Sequence, residues 1–326
     1  PLIDTYDRRL NYLRISITDR CNLRCLYCVP DGRLPKLTHD DILTYEELVR
    51  LVTIGTKLGI TKVRVTGGEP LVRKGVYGFL ESLSAMPTLN DISLTTNGVI
   101  LASNLERLKQ AGVRRINISL DTLKKERYRE ITGYNQFDRV WAGLLKALEV
   151  GFHPIKINVV ALRGINDDEL IDMGRLTLEY PFHVRFIEYM PIGNARMDPK
   201  ANLLTPELME RLSALGKLHP IGRQANDGPA QRYRYEGAPG ELGFISSVSQ
   251  HFCDRCNRLR LTASGQLRVC LLSDQQTDLR TPLREGASDE ALAHLIREAV
   301  RNKKAHHYLA KPSAPKVTGQ MSGIGG

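Results

Sequence analysis

Short runs of apolar and β-branched residues recur along the first two-thirds of the chain, and segments of helical periodicity separate them. Such runs are typical of strands buried in a parallel sheet. They occupy residues 12–18, 62–66, 91–96, 115–120, 156–162 and 183–190. One helical segment begins at Thr44 with Glu47 three residues later, the pattern of a capping box. Glycines at 59, 112 and 151 end three helical patterns. The pattern therefore predicts six βα units.

Six βα units predict an α/β fold in which a parallel sheet curves into a partial (βα)6 barrel of the TIM type. A closed barrel of this type needs eight units, so we expect this one to be open. Functional groups in such folds lie at the C-terminal ends of the strands. We therefore expect residues 67–70, 95–98, 119–121 and Met190 to share one rim with the loop that follows the first strand.

The pattern changes near residue 200, where shorter elements begin. Residues 205–215 and 289–303 have helical spacing, 232–236 and 242–248 are typical of strands, and 258–272 predict a hairpin. We therefore divide the chain into a partial barrel over 1–200 and a C-terminal region over 201–326, whose short strands and helices close the barrel mouth. The last stretch is rich in Pro, Gly and Ser and predicts an irregular tail.

Composition and charge narrow the class of protein. The chain has 326 residues, of which 42% are hydrophobic and 25% charged, as in ordinary globular proteins. The charges that give the net charge of +10 are spread along the chain and do not form runs of like charge. This distribution favours a small polyphosphate over nucleic acid as the anionic partner. We find no apolar run long enough to span a membrane and no signal-peptide core at the start, so we expect a cytoplasmic protein.

The six cysteines fall into two groups of three, which favours metal binding over disulfides in a chain without a secretion signal. The groups are Cys21, Cys25 and Cys28, then Cys253, Cys256 and Cys270. The first group has C-x₃-C-x₂-C spacing and follows the first strand. Three thiolates can hold a [4Fe–4S] cluster, which normally takes four ligands, and leave one iron open to a small molecule. A zinc knuckle with a distant fourth ligand is the alternative.

The second group has C-x₂-C-x₁₃-C spacing. Cys270 lies on the return strand of the predicted hairpin, which can fold it back towards Cys253 and Cys256. A Cys₃His zinc site is the alternative here. His251 precedes Cys253 by two residues, and we interpret it as a surface side chain rather than a ligand.

The first cysteine group, with Tyr27 before its third cysteine and "GGEP" at 67–70, resembles the radical S-adenosylmethionine superfamily. The second group narrows the resemblance. "FCDRCNRLRLT", "VRVTGGEPLVR", "INISLDTL", "VRFIEYMPIG" and the terminal "GIGG" are similar to the GTP 3′,8-cyclase family of molybdenum cofactor biosynthesis. The similarity extends over essentially the whole chain.

This resemblance implies two [4Fe–4S] clusters and S-adenosylmethionine as cofactors, with GTP as the substrate. In the family, a 5′-deoxyadenosyl radical takes the C3′ hydrogen of GTP, and the C3′ radical attacks C8 of guanine to give 3′,8-cyclo-7,8-dihydro-GTP. The resemblance also implies an electron donor protein or another reductant. The product would pass to cyclic pyranopterin monophosphate synthase. We expect a monomer or homodimer without a nucleic-acid partner.

The resemblance also assigns residues. Cys21, Cys25 and Cys28 match the ligands of the first cluster, and Cys253, Cys256 and Cys270 match those of the second, whose open iron holds guanine. The positions that match contacts to S-adenosylmethionine are Tyr27, Gly68, Ser119 and Met190. The positions that match GTP contacts are Arg14, Lys62, Arg64, Thr95, Lys156, Arg258, Leu259 and Arg260. The positions that match catalytic groups are Arg185, Arg258, Arg260, Gly325 and Gly326.

The residues themselves support a cationic interior. Arg14, Arg64 and Lys156 lie on strands that bury one face, and a cation that points into a barrel needs an anion. Arg258 and Arg260 alternate with leucines, so both side chains point to one face of the hairpin. No G-x₄-G-K-[ST] motif is present, so cationic side chains rather than a P-loop would hold a triphosphate.

Two alternatives differ in class. One is a radical enzyme that modifies RNA or a peptide, for which the net charge of +10 is the sequence support. The other is a zinc-stabilised binding module without catalytic activity. Metal content separates the radical enzymes from the zinc module, because two cubane clusters require about eight irons per chain.

Overall fold

The computed structural model describes residues 1–29, 37–193, 201–223, 227–307, 317–318 and 321–325. Within these ranges the chain forms twelve strands and ten α-helices. The strands are β1 (Tyr12–Ser16), β2 (Lys62–Thr66), β3 (Asp91–Thr96), β4 (Arg115–Ser119), β5 (Ile155–Ala161), β6 (Phe182–Glu188), β7 (His219–Pro220), β8 (Gln231–Arg234), β9 (Glu241–Ile245), β10 (Arg258–Leu261), β11 (Gln266–Arg268) and β12 (Thr277–Asp278). The helices are α1 (Tyr45–Lys57), α2 (Val76–Ser84), α3 (Leu105–Gln110), α4 (Lys125–Thr132), α5 (Phe137–Val150), α6 (Leu170–Glu179), α7 (Thr205–Leu212), α8 (Arg280–Arg284), α9 (Asp289–Arg301) and α10 (Met321–Ile324). Strands and helices alternate from β1 to α6, as the apolar pattern predicts.

All twelve strands belong to one sheet, in the order β12-β11-β10-β1-β2-β3-β4-β5-β6-β9-β8-β7. The six predicted strands are parallel and adjacent. Among the strands of the described ranges the order has two ends, β12 and β7, and no hydrogen bonds between them close the sheet into a ring. This arrangement confirms the open, partial barrel.

The C-terminal strands extend both edges of the parallel sheet. β10 pairs in parallel with β1, and β9 pairs in parallel with β6. The hairpin of β10 and β11 is present as predicted. Two strands from the last third of the chain therefore become walls of the barrel, a pairing that the local pattern did not indicate.

The helix α1 begins at the predicted capping box. The amide of Glu47 donates to Thr44 Oγ1 at 3.1 Å, and the amide of Thr44 donates to the Glu47 carboxylate at 2.7 Å. Leu48, Leu51 and Val52 lie on its buried face. These bonds satisfy amide groups that the first helical turn leaves without partners.

The barrel strands alternate between an apolar outer face and a polar inner face. On β1, Leu13 and Ile15 join the apolar core, whereas Arg14 lines the interior. Successive strand residues point to opposite faces, so each inward position faces the space inside the curved sheet. The polar interior is where the candidate site forms.

The described part of the chain contains no helix with the length and apolar character needed to cross a membrane.

Candidate active site

A cavity of about 290 Å³ lies where the barrel strands end, and both cysteine groups line it. Residues from the first strand loop, from the loops after β2, β3 and β4, and from β6 and β10 contribute to the wall. The predicted site residues that line it are Arg14, Cys21, Cys25, Tyr27, Cys28, Arg64, Gly68, Thr95, Ser119, Arg185, Met190, Cys253, Cys256, Arg258, Arg260 and Cys270. The structure therefore brings together two groups that are more than 220 residues apart in the sequence.

The first cysteine loop forms a compact turn with three half-buried free thiols. The amide of Cys28 donates to the carbonyl oxygen of Cys25 at 2.9 Å. Amide groups of Leu23 and Asn97 donate to Cys21 Sγ at 3.4 and 3.7 Å. Burial, with repulsion from Cys21 and Asp121, raises the pKa of Cys28 to about 12. Three adjacent sulfurs with amide donors fit the ligand set of a [4Fe–4S] cluster, whose positive irons would replace the thiol protons.

The "GGEP" loop packs directly against this first loop. The amide of Gly68 donates to the carbonyl oxygen of Thr18 at 2.7 Å. A Cβ at Gly68 would lie 2.3 Å from the carbonyl oxygen of Arg20, closer than real carbon atoms approach. Only glycine therefore permits this contact, in which backbone meets backbone.

Glu69 fixes the same loop to the end of β3. Its buried carboxylate accepts hydrogen bonds from Thr96 Oγ1 at 2.8 Å and from the amide of Asn97 at 2.7 Å. Burial raises the pKa of Glu69 to about 7. No role was predicted for Glu69 from the sequence, although its place in the "GGEP" motif was a usable signal.

Tyr27 and Asp121 form a second link across the cavity wall. The Tyr27 hydroxyl donates to Asp121 Oδ2 at 2.6 Å, and the amide of Val160 donates to Asp121 Oδ1 at 2.8 Å. Burial raises the pKa of Asp121 to about 6. The rim position of Asp121 was predicted, but its bond to Tyr27 was not. The bond fixes the ring of Tyr27 beside Cys28.

The second cysteine group is held by two basic side chains. Arg8 Nη1 donates to the carbonyl oxygen of Cys253 at 2.6 Å, and Lys303 Nζ donates to that of Val269, next to Cys270. Burial alone would raise the pKa of Cys256, but Arg258 and Lys303 lower it to about 6. The thiolate form is therefore favoured at Cys256, whereas burial raises the pKa of Cys253. Thiolates are the ligands of an iron–sulfur cluster. No sequence pattern pointed to Arg8 or Lys303.

Three histidines lie beside this group. The ring of His251 is centred 5.1 Å from His306 and 5.2 Å from His307. Ligand atoms of His251, Cys253 and His306 lie within 4.8 Å of one another. His251 is exposed, as its interpretation as a surface residue requires. Its neighbours nevertheless give the zinc alternative a geometric basis.

Arginines form the remaining wall. On adjacent strands, Arg14 lies in register with Arg64 on one side and with Arg260 on the other. Arg185 enters from β6 and donates to Asn117 Oδ1 and Asn158 Oδ1, both at 2.6 Å. Burial and neighbouring cations lower the pKa of Arg185 to about 9. Desolvated like charges are unfavourable without a counter-ion, so this wall favours an anionic ligand.

Three of the predicted substrate residues do not line this cavity. Lys62 lies behind it, with its Nζ 3.1 Å from Asp91 Oδ2. Lys156 lines a separate small pocket that it shares with Arg185, and burial with nearby cations lowers the pKa of Lys156 to about 6. Leu259 is buried in the apolar core, on the opposite strand face from Arg258.

The described end of the chain reaches the arginine wall. The carbonyl oxygen of Gly325 accepts hydrogen bonds from Arg260 Nη1 at 2.7 Å and from Arg14 Nη2 at 3.4 Å. Ile324 packs with Ile192 and Val317. Gly326 lies outside the described residues, as does most of the predicted irregular tail.

Comparison with known proteins agrees with this geometry. Residues 15–177 match the model of the Radical SAM superfamily, and residues 182–309 match that of Molybdenum Cofactor Synthesis C. The GTP 3′,8-cyclase of Pelotomaculum thermopropionicum is 49% identical over 99% of both chains. That of Heliobacterium modesticaldum is 48% identical over the full length of both.

Solved structures support the fold. SuiB of Streptococcus suis superimposes with a TM-score of 0.62 and 16% identity, over 89% of this chain and 68% of that one. Its S-adenosylmethionine-bound form gives a TM-score of 0.59 and 17% identity, over the same shares. The low identity to these solved structures shows a shared fold only. The full-length relatives at nearly half identity show the family. The chain therefore belongs to the GTP 3′,8-cyclase family of the radical S-adenosylmethionine superfamily.

Proposed function

We propose that this chain is a GTP 3′,8-cyclase that converts GTP to 3′,8-cyclo-7,8-dihydro-GTP in molybdenum cofactor biosynthesis. One observation carries the proposal: two cysteine triads and a wall of buried arginines line the same cavity. A triad that leaves one iron open suits a small-molecule ligand. Two such triads and a cationic wall suit a cofactor and a polyphosphate substrate held side by side.

The first half of the cavity would bind the radical source. Cys21, Cys25 and Cys28 hold a [4Fe–4S] cluster, and the S-adenosylmethionine contacts come from Tyr27, Gly68, Ser119 and Met190. When bound, cluster and cofactor supply the 5′-deoxyadenosyl radical that removes the C3′ hydrogen of GTP. The Tyr27–Asp121 hydrogen bond fixes one side of this half. The backbone contact of Gly68 fixes the other side.

The arginine wall would bind the triphosphate. Arg14, Arg64 and Arg260 are adjacent in the sheet, and their planar guanidinium groups suit phosphate oxygens. The buried hydroxyl of Thr95 has no hydrogen-bond partner among the described residues, so it can bond to the substrate. Lys62 adds positive charge from behind this wall, and Lys156 becomes positively charged when the triphosphate binds. Leu259 supports Arg258 and Arg260 by packing in the core.

The second half would position the guanine base. Cys253, Cys256 and Cys270 would hold a second [4Fe–4S] cluster, and the ligand position left open by three cysteines would be available to guanine. Arg258 is fixed there, with its guanidinium carbon 4.7 Å from the centre of the Phe252 ring. The groups that we assign to catalysis are Arg185, Arg258, Arg260, Gly325 and Gly326.

The wider setting follows from the same assignment. An electron donor protein or another reductant reduces the clusters, and the product passes to cyclic pyranopterin monophosphate synthase. We propose a cytoplasmic monomer or homodimer that does not act on nucleic acid. Residues 1–200 form the radical-generating unit, and residues 201–326 supply the second cluster and the Gly-Gly end.

The test is anaerobic incubation of iron-reconstituted protein with GTP, S-adenosylmethionine and dithionite, followed by chromatography and mass analysis. Cyclisation moves one hydrogen to 5′-deoxyadenosine and adds one electron and one proton, so the product has the mass of GTP but a different retention time. GTP deuterated at C3′ should give deuterated 5′-deoxyadenosine. Protein with about eight irons per chain that leaves GTP unchanged would contradict the proposal. Stoichiometric zinc without iron would favour the binding module instead.

A further inference from the structure

Tyr12 lies in the wall of the cavity, at a position that neither the motifs nor the comparisons assign. It is on β1 and only 1% exposed. In the sheet it lies in register with Arg258 on one side and Lys62 on the other. Tyr12 also lines the cavity next to Arg14 and Arg64. A tyrosine thus occupies the centre of the cationic wall.

The surroundings of the Tyr12 ring are consistently cationic. Lys62 Nζ lies 4.7 Å from the ring centre, and the guanidinium carbon of Arg64 lies 5.5 Å from it. Arg14 and Arg258 also act electrostatically on the Tyr12 side chain. The aromatic face attracts these cations, so the ring itself is well placed in the wall.

The hydroxyl of Tyr12, unlike its ring, is not satisfied by these cations. It is buried, and no acceptor for its proton lies within hydrogen-bond distance among the described residues. The neighbouring Arg14 guanidinium interacts with this hydroxyl but can only donate to it. Lysine and arginine side chains donate hydrogen bonds but cannot accept them. The four cations around Tyr12 therefore offer nothing to its O–H proton. A buried donor without an acceptor costs free energy, and a bound anion would remove this cost.

We propose that Tyr12 is a substrate-binding residue whose hydroxyl donates a hydrogen bond to a non-bridging oxygen of the substrate's phosphate chain. The inference rests on the proposed function, since it takes a nucleoside triphosphate as the ligand. A phosphate oxygen fits because it accepts hydrogen bonds and carries the negative charge that the surrounding cations require. Burial raises the pKa of Tyr12, but the surrounding cations lower it overall in the free protein. The negative charge of a bound phosphate opposes those cations and favours the protonated hydroxyl that donates.

Tyr12→Phe tests the hydroxyl alone, because it keeps the ring and its cation contacts. Tyr45→Phe is the matched control. The Tyr45 hydroxyl is also buried and without a partner among the described residues. Its ring lies 4.2 Å from the guanidinium carbon of Arg73, but Tyr45 stacks on Phe79 outside the cavity.

Equilibrium dialysis of iron-loaded protein would measure the dissociation constants of GTP and of inorganic tripolyphosphate. We expect Tyr12→Phe to weaken both by about tenfold or more, the effect of losing a hydrogen bond to a charged group. Tyr45→Phe should change neither, and iron content should be equal in all three proteins.

The possible results distinguish a wrong function from a wrong role for Tyr12. Wild-type protein that binds no GTP would overturn the proposed function. If the wild type binds GTP and Tyr12→Phe binds it equally well, the role of Tyr12 is wrong while the function stands. Weaker GTP binding with unchanged tripolyphosphate binding would place the hydroxyl on the nucleoside instead, which also contradicts the proposal.

Discussion

Arg260 donates a hydrogen bond to the carbonyl oxygen of Gly325 at 2.7 Å, inside the barrel and 65 residues away in the sequence. Arg14 on the next strand donates to the same oxygen at 3.4 Å. The two guanidinium groups that we assign to the triphosphate therefore also hold the end of the chain. If these arginines bind the triphosphate as proposed, substrate binding and the position of Gly325 share the same two side chains.

Removal of Gly325 and Gly326 should leave both clusters intact and impair turnover. The two arginines would lose a partner that orients them, and misplaced groups in an active site lower kcat by as much as about 10²-fold. Iron content and kcat would be measured on the same preparation. Gly323→Ala is the control, since a Cβ there meets nothing within 4 Å. Full activity of the truncated chain would show that the end of the chain has no such role.

The two cysteine triads should fail in different ways. Cys25→Ala should abolish reductive cleavage of S-adenosylmethionine, because its cluster would lose one of three ligands. Cys256→Ala should preserve that cleavage without GTP but prevent cyclisation. The measurements are 5′-deoxyadenosine release, cyclised product and iron content, with about four irons expected in each variant. Identical behaviour of the two variants would show that cofactor cleavage and GTP cyclisation do not depend on different triads.

Gly68→Ala should weaken S-adenosylmethionine binding by about tenfold or more, since a shift of the cofactor loop misplaces binding groups. Its Cβ would lie 2.3 Å from the carbonyl oxygen of Arg20, so the loop after β2 must move. Gly78→Ala is the matched control in α2, where an added Cβ meets nothing within 4 Å. This control should bind normally and gain about 0.5–1 kcal/mol from better helix propensity. Equal affinity in both variants would argue against close packing at Gly68.

GTP binding at pH 8 should take up a proton at Lys156. Burial and nearby cations lower the pKa of Lys156 to about 6, so this side chain is mostly neutral at pH 8. The negative charge of GTP favours the ammonium form and raises that pKa on binding. The complex then holds more protons than the free protein, and affinity falls as the pH rises above about 6.

Calorimetry in two buffers of different ionisation enthalpy would measure this uptake. At pH 8 the phosphate chain is fully ionised, because its last pKa is about 6, so the proton taken up from the buffer is bound by the protein. Lys156→Met should abolish most of the buffer dependence. A binding enthalpy that is independent of buffer in the wild type would show that Lys156 does not change its protonation state.

The sequence predicted the parts of the fold that depend on local signals. The six barrel strands are continuous apolar or β-branched runs, and the α1 cap is a four-residue motif. The pairing of β1 with β10 joins Tyr12 to Arg258, which are 246 positions apart. No local periodicity encodes such a partner, so the edges of the sheet were not predicted.

The same limit applies to the candidate site. Cysteine spacing is a local signal, and all six cysteines that were predicted to be ligands line the cavity. Alternation along β2 places Lys62 on the same face as Arg64, but a period of two does not give depth within a barrel. Lys62 therefore lies behind the wall beside Asp91. Arg8, which bonds to the carbonyl oxygen of Cys253, is recognisable only from the folded chain.

The open ends of the sheet have a mechanical consequence. In a closed barrel, strand number and stagger fix the diameter. Here β7 and β12 are the two ends of the strand order, and hydrogen bonds do not join them. The curvature of the sheet can therefore tighten or relax without breaking a ladder between neighbouring strands. The width of the cavity is therefore not set by strand number and stagger alone.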